Sequence, residues 1–326
     1  MQGNFRKSVK MKPLTKKLIS AGIVILTIAL AVWYISANAE EFLSLRFVSP
    51  WHIALMIPIF IVMYFVIGVN TQVLLRPFGL NLRNGEAFAL SIMTGFYNLI
   101  MPFRGGMAAR AIYLKKKHKF PYTNFMATLG ASYVLVYLMA AVLGLVASYF
   151  IFAESGRFSW IVSGIFLLLF LGMLGITFIS PRFKEPRNKW LARFVRVLNG
   201  WHLIKGNARV IVSVLALSCV QLLLSAVMLK LQFAVFGWEI SFWSALFISS
   251  LASLSLLVGL TPAGLGIQEA FQIFTGVAIG IDATQTLTAA LLGRVVSLVV
   301  LFILGPIFSW VLVKKGKEKV LNNKEM

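Results

Sequence analysis

Six runs of about twenty apolar residues decide what this chain can fold into: Leu18–Ala37, His52–Val73, Phe125–Phe152, Phe158–Ile179, Val210–Phe236 and Thr284–Leu312. Each matches the roughly 20 residues that carry a helix across about 30 Å of hydrocarbon. A backbone in that solvent must satisfy its own hydrogen bonds, and the runs show no alternation of the kind a barrel strand needs, so they read as helices. Only 13% of the residues are charged, against about a quarter in a soluble domain, which leaves no segment able to build a water-soluble core. The first run follows a basic stretch, Arg6 to Lys17, and precedes the signal-like Ala37-Asn38-Ala39. It is longer than the 7–15 apolar residues of a secretory signal and reads as an uncleaved anchor.

Charge placement orients the runs. The chain carries 31 Lys and Arg residues against 10 acidic ones, and they cluster at the ends of apolar runs, as the positive-inside rule requires of cytoplasmic segments. Two further apolar stretches, Ala87–Met101 and Phe242–Leu260, each run into a Pro/Gly cluster and a second helical piece. If the first crossed the membrane, Lys115, Lys116, Lys117 and Lys119 would lie outside. Fifteen residues ahead of Pro102 also span only about 22 Å. Both stretches are therefore expected to enter and return on one side, as re-entrant hairpins. Of all the basic residues, only Arg46 and Arg157 then fall outside, and Arg104, Arg110, Lys230 and Arg294 within or near the membrane.

Each half now reads as span, span, hairpin, span, and three crossings per half turn the second copy upside down. The expected architecture is an all-α integral membrane protein with six transmembrane helices and two re-entrant helical hairpins arranged as an inverted repeat. One transmembrane domain fills residues 1–326, with repeat halves of about 17–153 and 158–313 and basic cytoplasmic tails at 1–16 and 314–326. The hairpin tips match in place: Pro102-Phe103-Arg104-Gly105-Gly106 leads to Arg110, and Pro262-Ala263-Gly264-Leu265-Gly266 leads to Gln268 and Glu269. Inverted repeats whose broken helices meet near the midplane are the architecture of alternating-access transporters.

The tips supply the candidate binding residues. Pro102 and Pro262 remove a helical hydrogen bond, while Gly105, Gly106, Gly264 and Gly266 let the backbone turn or a ligand come close. Irregular backbone at membrane depth survives only against protein or a wet cavity. Arg104, Arg110, Glu269 and Arg294 are charges expected inside the membrane, where each costs at least about 2.5–3.5 kcal/mol at a helix centre and so usually has a task. Arg110 and Glu269 hold matching places in the two halves, which allows a buried pair or a grip on opposite ends of a zwitterionic headgroup; snorkelling of Arg104 and Arg110 to the surface is the plainer reading. Arg294 needs an anion, and Glu269 is the nearest candidate. Asn98 and Gln268 flank the tips; Gln221 and Gln272 read as interhelical hydrogen-bonding residues.

Enzyme chemistry finds little footing. His52, His118 and His202 are far apart, Cys219 is alone in an apolar run, and there is no HExxH motif, clustered carboxylate set or Walker loop. No catalytic residue, metal site or cofactor is assigned. Membrane orientation accounts for the basic clusters without nucleic acid.

On Asn98-x3-Pro102-x-Arg104-x-Gly106-x3-Arg110, and on Pro262-x-Gly264-x-Gly266-x2-Glu269 followed by Arg294, the chain resembles the transmembrane-region family of lysylphosphatidylglycerol synthase, found also in the multiple peptide resistance factor. The resemblance runs over roughly the whole length. It implies a flippase-like fold with re-entrant helices, and substrates that are phospholipids or polyprenyl- or lipid-linked sugars. Met107 stands where the family pattern commonly has Glu, which bears on whether a cationic, aminoacylated headgroup is accepted. With no aminoacyltransferase domain in the 326 residues, synthesis of lysylphosphatidylglycerol is not expected.

The function expected is a lipid flippase or facilitator in the cell membrane, with both termini cytoplasmic. The headgroup would lie between the tips, Arg110 and Arg294 holding an anionic phosphate and Glu269 tuning or gating. Two alternatives are a membrane-embedded lipid transferase and a non-catalytic membrane partner of a separate synthase or glycosyltransferase, docked through the basic loop Arg182 to Arg209. Anionic lipids at the cytoplasmic face are the expected neighbours, and the sequence leaves room for a homodimer.

Overall fold

The computed structural model describes residues 47–101, 103–179, 195, 199–257, 261 and 264–322, with side chains as far as Leu312. The expected first span, Pro102, Pro262, both extreme tails and most of the basic loop between Arg182 and Arg209 lie outside the described residues. Every regular element among those described is helical.

Among the described residues, five helices are long and apolar enough to cross a membrane. They are α1 (Trp51–Leu75), α4 (Tyr122–Ser155), α5 (Trp160–Ile179), α6 (Ala208–Val235) and α9 (Ala283–Asn322). Each coincides with one of the apolar runs to within a few residues at either end, save that α9 runs on past Leu312, with α5 starting two residues later than expected and α6 ending one residue earlier. Asn207 accepts a hydrogen bond from the Val210 N–H to start α6, and the Asp282 carboxylate accepts one from the Gln285 N–H to start α9. Gly156, at φ 67°, closes α4. Pro58 sits inside α1 and Pro306 inside α9. Outward faces of these helices are apolar: Leu168 and Phe178 of α5 are each 72% exposed. A contiguous surface of that kind has no place in water and suits hydrocarbon.

Between the long helices stand two pairs of short ones, α2 (Asn84–Ile100) with α3 (Gly105–His118), and α7 (Phe242–Ala252) with α8 (Ile267–Ala278). The members of each pair pack on one another. At the open end of the first pair, Glu86 of α2 accepts hydrogen bonds from Tyr113 and His118 of α3, so the chain returns to the end from which it set out. The second pair closes likewise: Trp243, at the start of α7, and Ile279 and Ile281, just after α8, belong to one apolar cluster with Ile151 and Phe233. The first pair shares its cluster with Leu75, Phe125 and Leu312, at the other ends of the long helices. The two hairpins therefore enter the bundle from opposite ends, with Arg76, Arg83 and the Lys115 cluster at one end and Arg157 and Asp282 at the other.

Packing between elements is paired. The hairpin helix α2 packs on α1 and α9, while α7 packs on α6 and α4. At the centre α1 lies along α6, and α5 packs on α4 at the periphery. Phe166 of α5 fills the groove over Gly144 of α4, where a Cβ would come within 2.4 Å of the ring.

Candidate functional site

A cavity of about 300 Å³ lies where the two hairpin tips meet α1, α6 and α9. From the first half, Phe60, Met63 and Tyr64 come from α1, Asn98 and Leu99 from α2, and Arg104 and Met107 from the tip and start of α3. The second half supplies Met228 and Gln232 from α6, Ser255, Thr261, Gly264, Gln268, Glu269 and Gln272 from the second hairpin, and Gly293, Arg294 and Ser297 from α9. A pocket of this mixed character, apolar with a few convergent polar groups, is the usual form of a ligand site.

The first tip is built by close approach. The Gly106 N–H donates to the Asn98 Oδ1 at 2.9 Å, and a Cβ on Gly106 would stand 1.9 Å from the Thr94 carbonyl oxygen. Only glycine lets α3 begin this near to α2. Just before it, Phe103 and Arg104 both adopt φ of 54°, a left-handed conformation uncommon for bulky residues. That backbone turns the Arg104 guanidinium toward α4, where it donates to the Tyr133 hydroxyl and stands 5.4 Å from the centre of its ring.

The second tip is built around a carboxylate. Glu269, in the first turn of α8, accepts the Gly266 N–H at 2.8 Å through Oε2, where the N-terminal end of the helix dipole favours negative charge. Its Oε1 accepts Nε of Arg294 at 2.9 Å and Nη2 at 2.5 Å. Both side chains are largely enclosed, at 10% and 13% exposure, so hairpin and final span are joined by a buried ion pair. Gly266 has φ of 81°, which a side chain would resist.

Of the residues singled out in the sequence, Asn98, Arg104, Gly264, Gln268, Glu269 and Arg294 come together around the cavity. Gly105, Gly106 and Gly266 shape the tips but do not line it. Arg110 is placed elsewhere: its Nε donates to Thr94 at 2.9 Å and its Nη1 to Thr71 at 3.0 Å, tying α3 to α2 and α1. It does not pair with Glu269, because one helical turn past the tip carries it behind α2; nor does it reach the surface, being 6% exposed. Tyr64, Tyr133, Gln232 and Thr261 went unremarked in the sequence. The side-chain amide of Gln232 among apolar neighbours, like that of Gln221 in the same span, was the signal available.

These features define a multi-pass helical membrane protein with a cavity of mixed apolar and polar lining between two pairs of short helices. The chain belongs to the family of the lysylphosphatidylglycerol synthase transmembrane region, whose pattern matches residues 18–305. It is also similar to the Glycosyltransferase AglD of Haloferax volcanii, with 23% identity over 322 residues covering 85% of this chain. The chain spans about half, 52%, of that curated relative's length.

Proposed function

We propose that this protein carries a membrane lipid between leaflets, its headgroup held in the cavity between the hairpin tips and its acyl chains left in the bilayer. The observation that carries this reading is the buried Glu269–Arg294 pair at the wall of a largely apolar cavity, joining a hairpin tip to a long apolar helix. Charge at that depth is expensive unless it serves a substrate path. On this reading the hairpins are re-entrant, with the Lys115 cluster and both termini on the cytoplasmic side of the plasma membrane. The matched packing of α1, α2 and α7, α6 about the bundle centre supports an inverted repeat, the arrangement that lets one half rock against the other. Arg104 and Arg294 are the cavity-lining cations suited to a lipid phosphate. Arg110, behind α2, acts by holding the first hairpin in place.

The family and the distant relative both support a role in membrane lipid chemistry, and the relative's name keeps a second reading in view, a lipid-linked transferase. Leaflet exchange in proteoliposomes, over a panel of labelled phospholipids and lipid-linked sugars, tests the proposal. Exchange by the wild-type protein that falls to background in folded Glu269→Ala and Arg104→Ala supports it. Absence of exchange, with a chemically altered lipid found by mass spectrometry, replaces it with the transferase reading. Co-purification of a synthase without either activity replaces it with a partner role.

A further inference from the structure

The polar wall of the cavity is mostly uncharged. Asn98, Gln232, Gln268 and Gln272 present side-chain amides to it, and Ser255 and Thr261 present hydroxyls. An amide both donates and accepts hydrogen bonds, as a hydroxyl does, so such a wall matches a ligand bearing several hydroxyl groups. An ammonium group, which only donates, would be met by the carbonyl and hydroxyl oxygens but would leave the amide N–H groups unanswered, and it would stand beside the Arg104 charge. Glu269 is the one carboxylate lining the cavity among the described residues, and both its oxygens are already engaged, by Arg294 and by the Gly266 N–H.

Two of these groups have unused capacity inside the protein. The Oε1 of Gln232 and the hydroxyl of Thr261 are buried, their residues being only 7% and 2% exposed, and find no hydrogen-bond partner among the described residues. Buried polar atoms are nearly always satisfied, and the exceptions in native structures call for a ligand or water. Gln232 is also held by design of its surroundings. It crosses from α6 to lie over Gly293 of α9, where a Cβ would come within 2.2 Å of its Nε2, so the residue beside Arg294 has no side chain to displace the amide.

We infer that the cavity reads hydroxyl groups, through Gln232 and Thr261, and so selects a lipid whose headgroup is a polyol or a sugar over one whose headgroup is an amine. The inference rests on the reading of the cavity as a lipid headgroup site. Arg104 and Arg294 accommodate a phosphate where the lipid has one; the amides and the Thr261 hydroxyl answer hydroxyl groups, while the Arg104 charge and the engagement of both Glu269 oxygens disfavour an amine. A glycerol headgroup and a hexose offer the same chemistry, and the test separates them.

Purified protein is to be measured by thermal unfolding with phosphatidylglycerol, a hexosyl diacylglycerol and phosphatidylethanolamine, and by leaflet exchange of the same three lipids in liposomes. Stabilisation by either hydroxylated lipid and not by the ethanolamine lipid is expected. Which of the two acts identifies the source of the hydroxyls. Gln232→Met, which keeps the side-chain length and removes the amide, should weaken the hydroxylated lipid about tenfold, as loss of one well-made hydrogen bond does. If Gln232→Met fails to fold, Thr261→Val takes its place with the same expectation. Equal response to all three lipids, or no effect of the substitutions, overturns the inference. Selective binding without exchange leaves the inference standing and sinks the transport reading, while unselective exchange does the reverse.

Discussion

Tyr133 stands twelfth in α4 and Arg294 twelfth in α9, and each is joined by a polar contact to the hairpin that precedes its helix: Tyr133 to Arg104, Arg294 to Glu269. The positions correspond while the chemistry differs. One contact is a neutral hydroxyl beneath a guanidinium, the other a buried ion pair, so the two hairpins are held with unequal strength.

The ion pair is the stronger tie and should show the asymmetry of buried charge. Arg294→Leu strands the Glu269 carboxylate and should cost about 3–5 kcal/mol, whereas the double substitution with Glu269→Gln should recover most of that loss. Thermal unfolding of the two single variants and the double in detergent measures the coupling. A double variant no more stable than Arg294→Leu would show that the pair does not hold the hairpin.

Glu86 makes the corresponding prediction for pH. Burial by itself raises its pKa, but hydrogen bonds from His118, Tyr113 and Lys117, and the Lys117 charge, outweigh that and hold it at about 2, below the ordinary 4.5. A depressed pKa means that the stabilisation is complete above the unfolded value and is lost as pH falls through the folded one. The advantage of wild type over Glu86→Gln, about 1–2 kcal/mol near neutrality after solvent screening, should shrink between pH 4.5 and 2. Unfolding temperatures of both proteins across that window check it.

Two glycines at equivalent tips should respond differently to alanine. At Gly106 the new methyl meets the Thr94 carbonyl, and separating α3 from α2 should cost about 1–3 kcal/mol or more. At Gly264 no described residue lies within 4 Å, and the cost is that of holding φ at 68°, about 1–2 kcal/mol. Asparagine tolerates that conformation, so Gly264→Asn should stay near wild-type stability while Gly106→Asn does not.

Arg157 caps the second hairpin from outside, its Nη1 donating to the carbonyl oxygens of Ile279 and Gly280 at the C-terminal end of α8. Because the group is exposed, Arg157→Ala should cost no more than about 1 kcal/mol. Hydrogen exchange should nonetheless quicken in the last turn of α8 and leave α7 unchanged, and high salt should mimic the substitution.

The five described spans and the two breaks that divide the shorter apolar stretches into paired helices were legible in the sequence, because their signals are one-dimensional. Apolar length, a Pro/Gly break and a lysine cluster can each be read without knowing what packs where. The Glu269–Arg294 pair was legible for a similar reason: two isolated charges in apolar surroundings have few partners. Arg110 was not, since its proximity to the tip in sequence says nothing of the side of α2 on which it falls. Gln232 and Tyr64 were hidden for another reason. The polar residues of their helices, α6 and α1, gather on no one face, so no polar stripe marks the side turned to the cavity.

The sequence by itself determined that this chain is helical and membrane-embedded, where it breaks, and which charges must be buried, because hydrocarbon tolerates neither unpaired backbone nor idle charge. Tertiary structure alone decided which of those charges face the cavity. That choice depends on how each helix is rotated about its axis, and rotation is set by contacts far apart in sequence, such as Gly293 beneath Gln232 and Phe166 against Gly144.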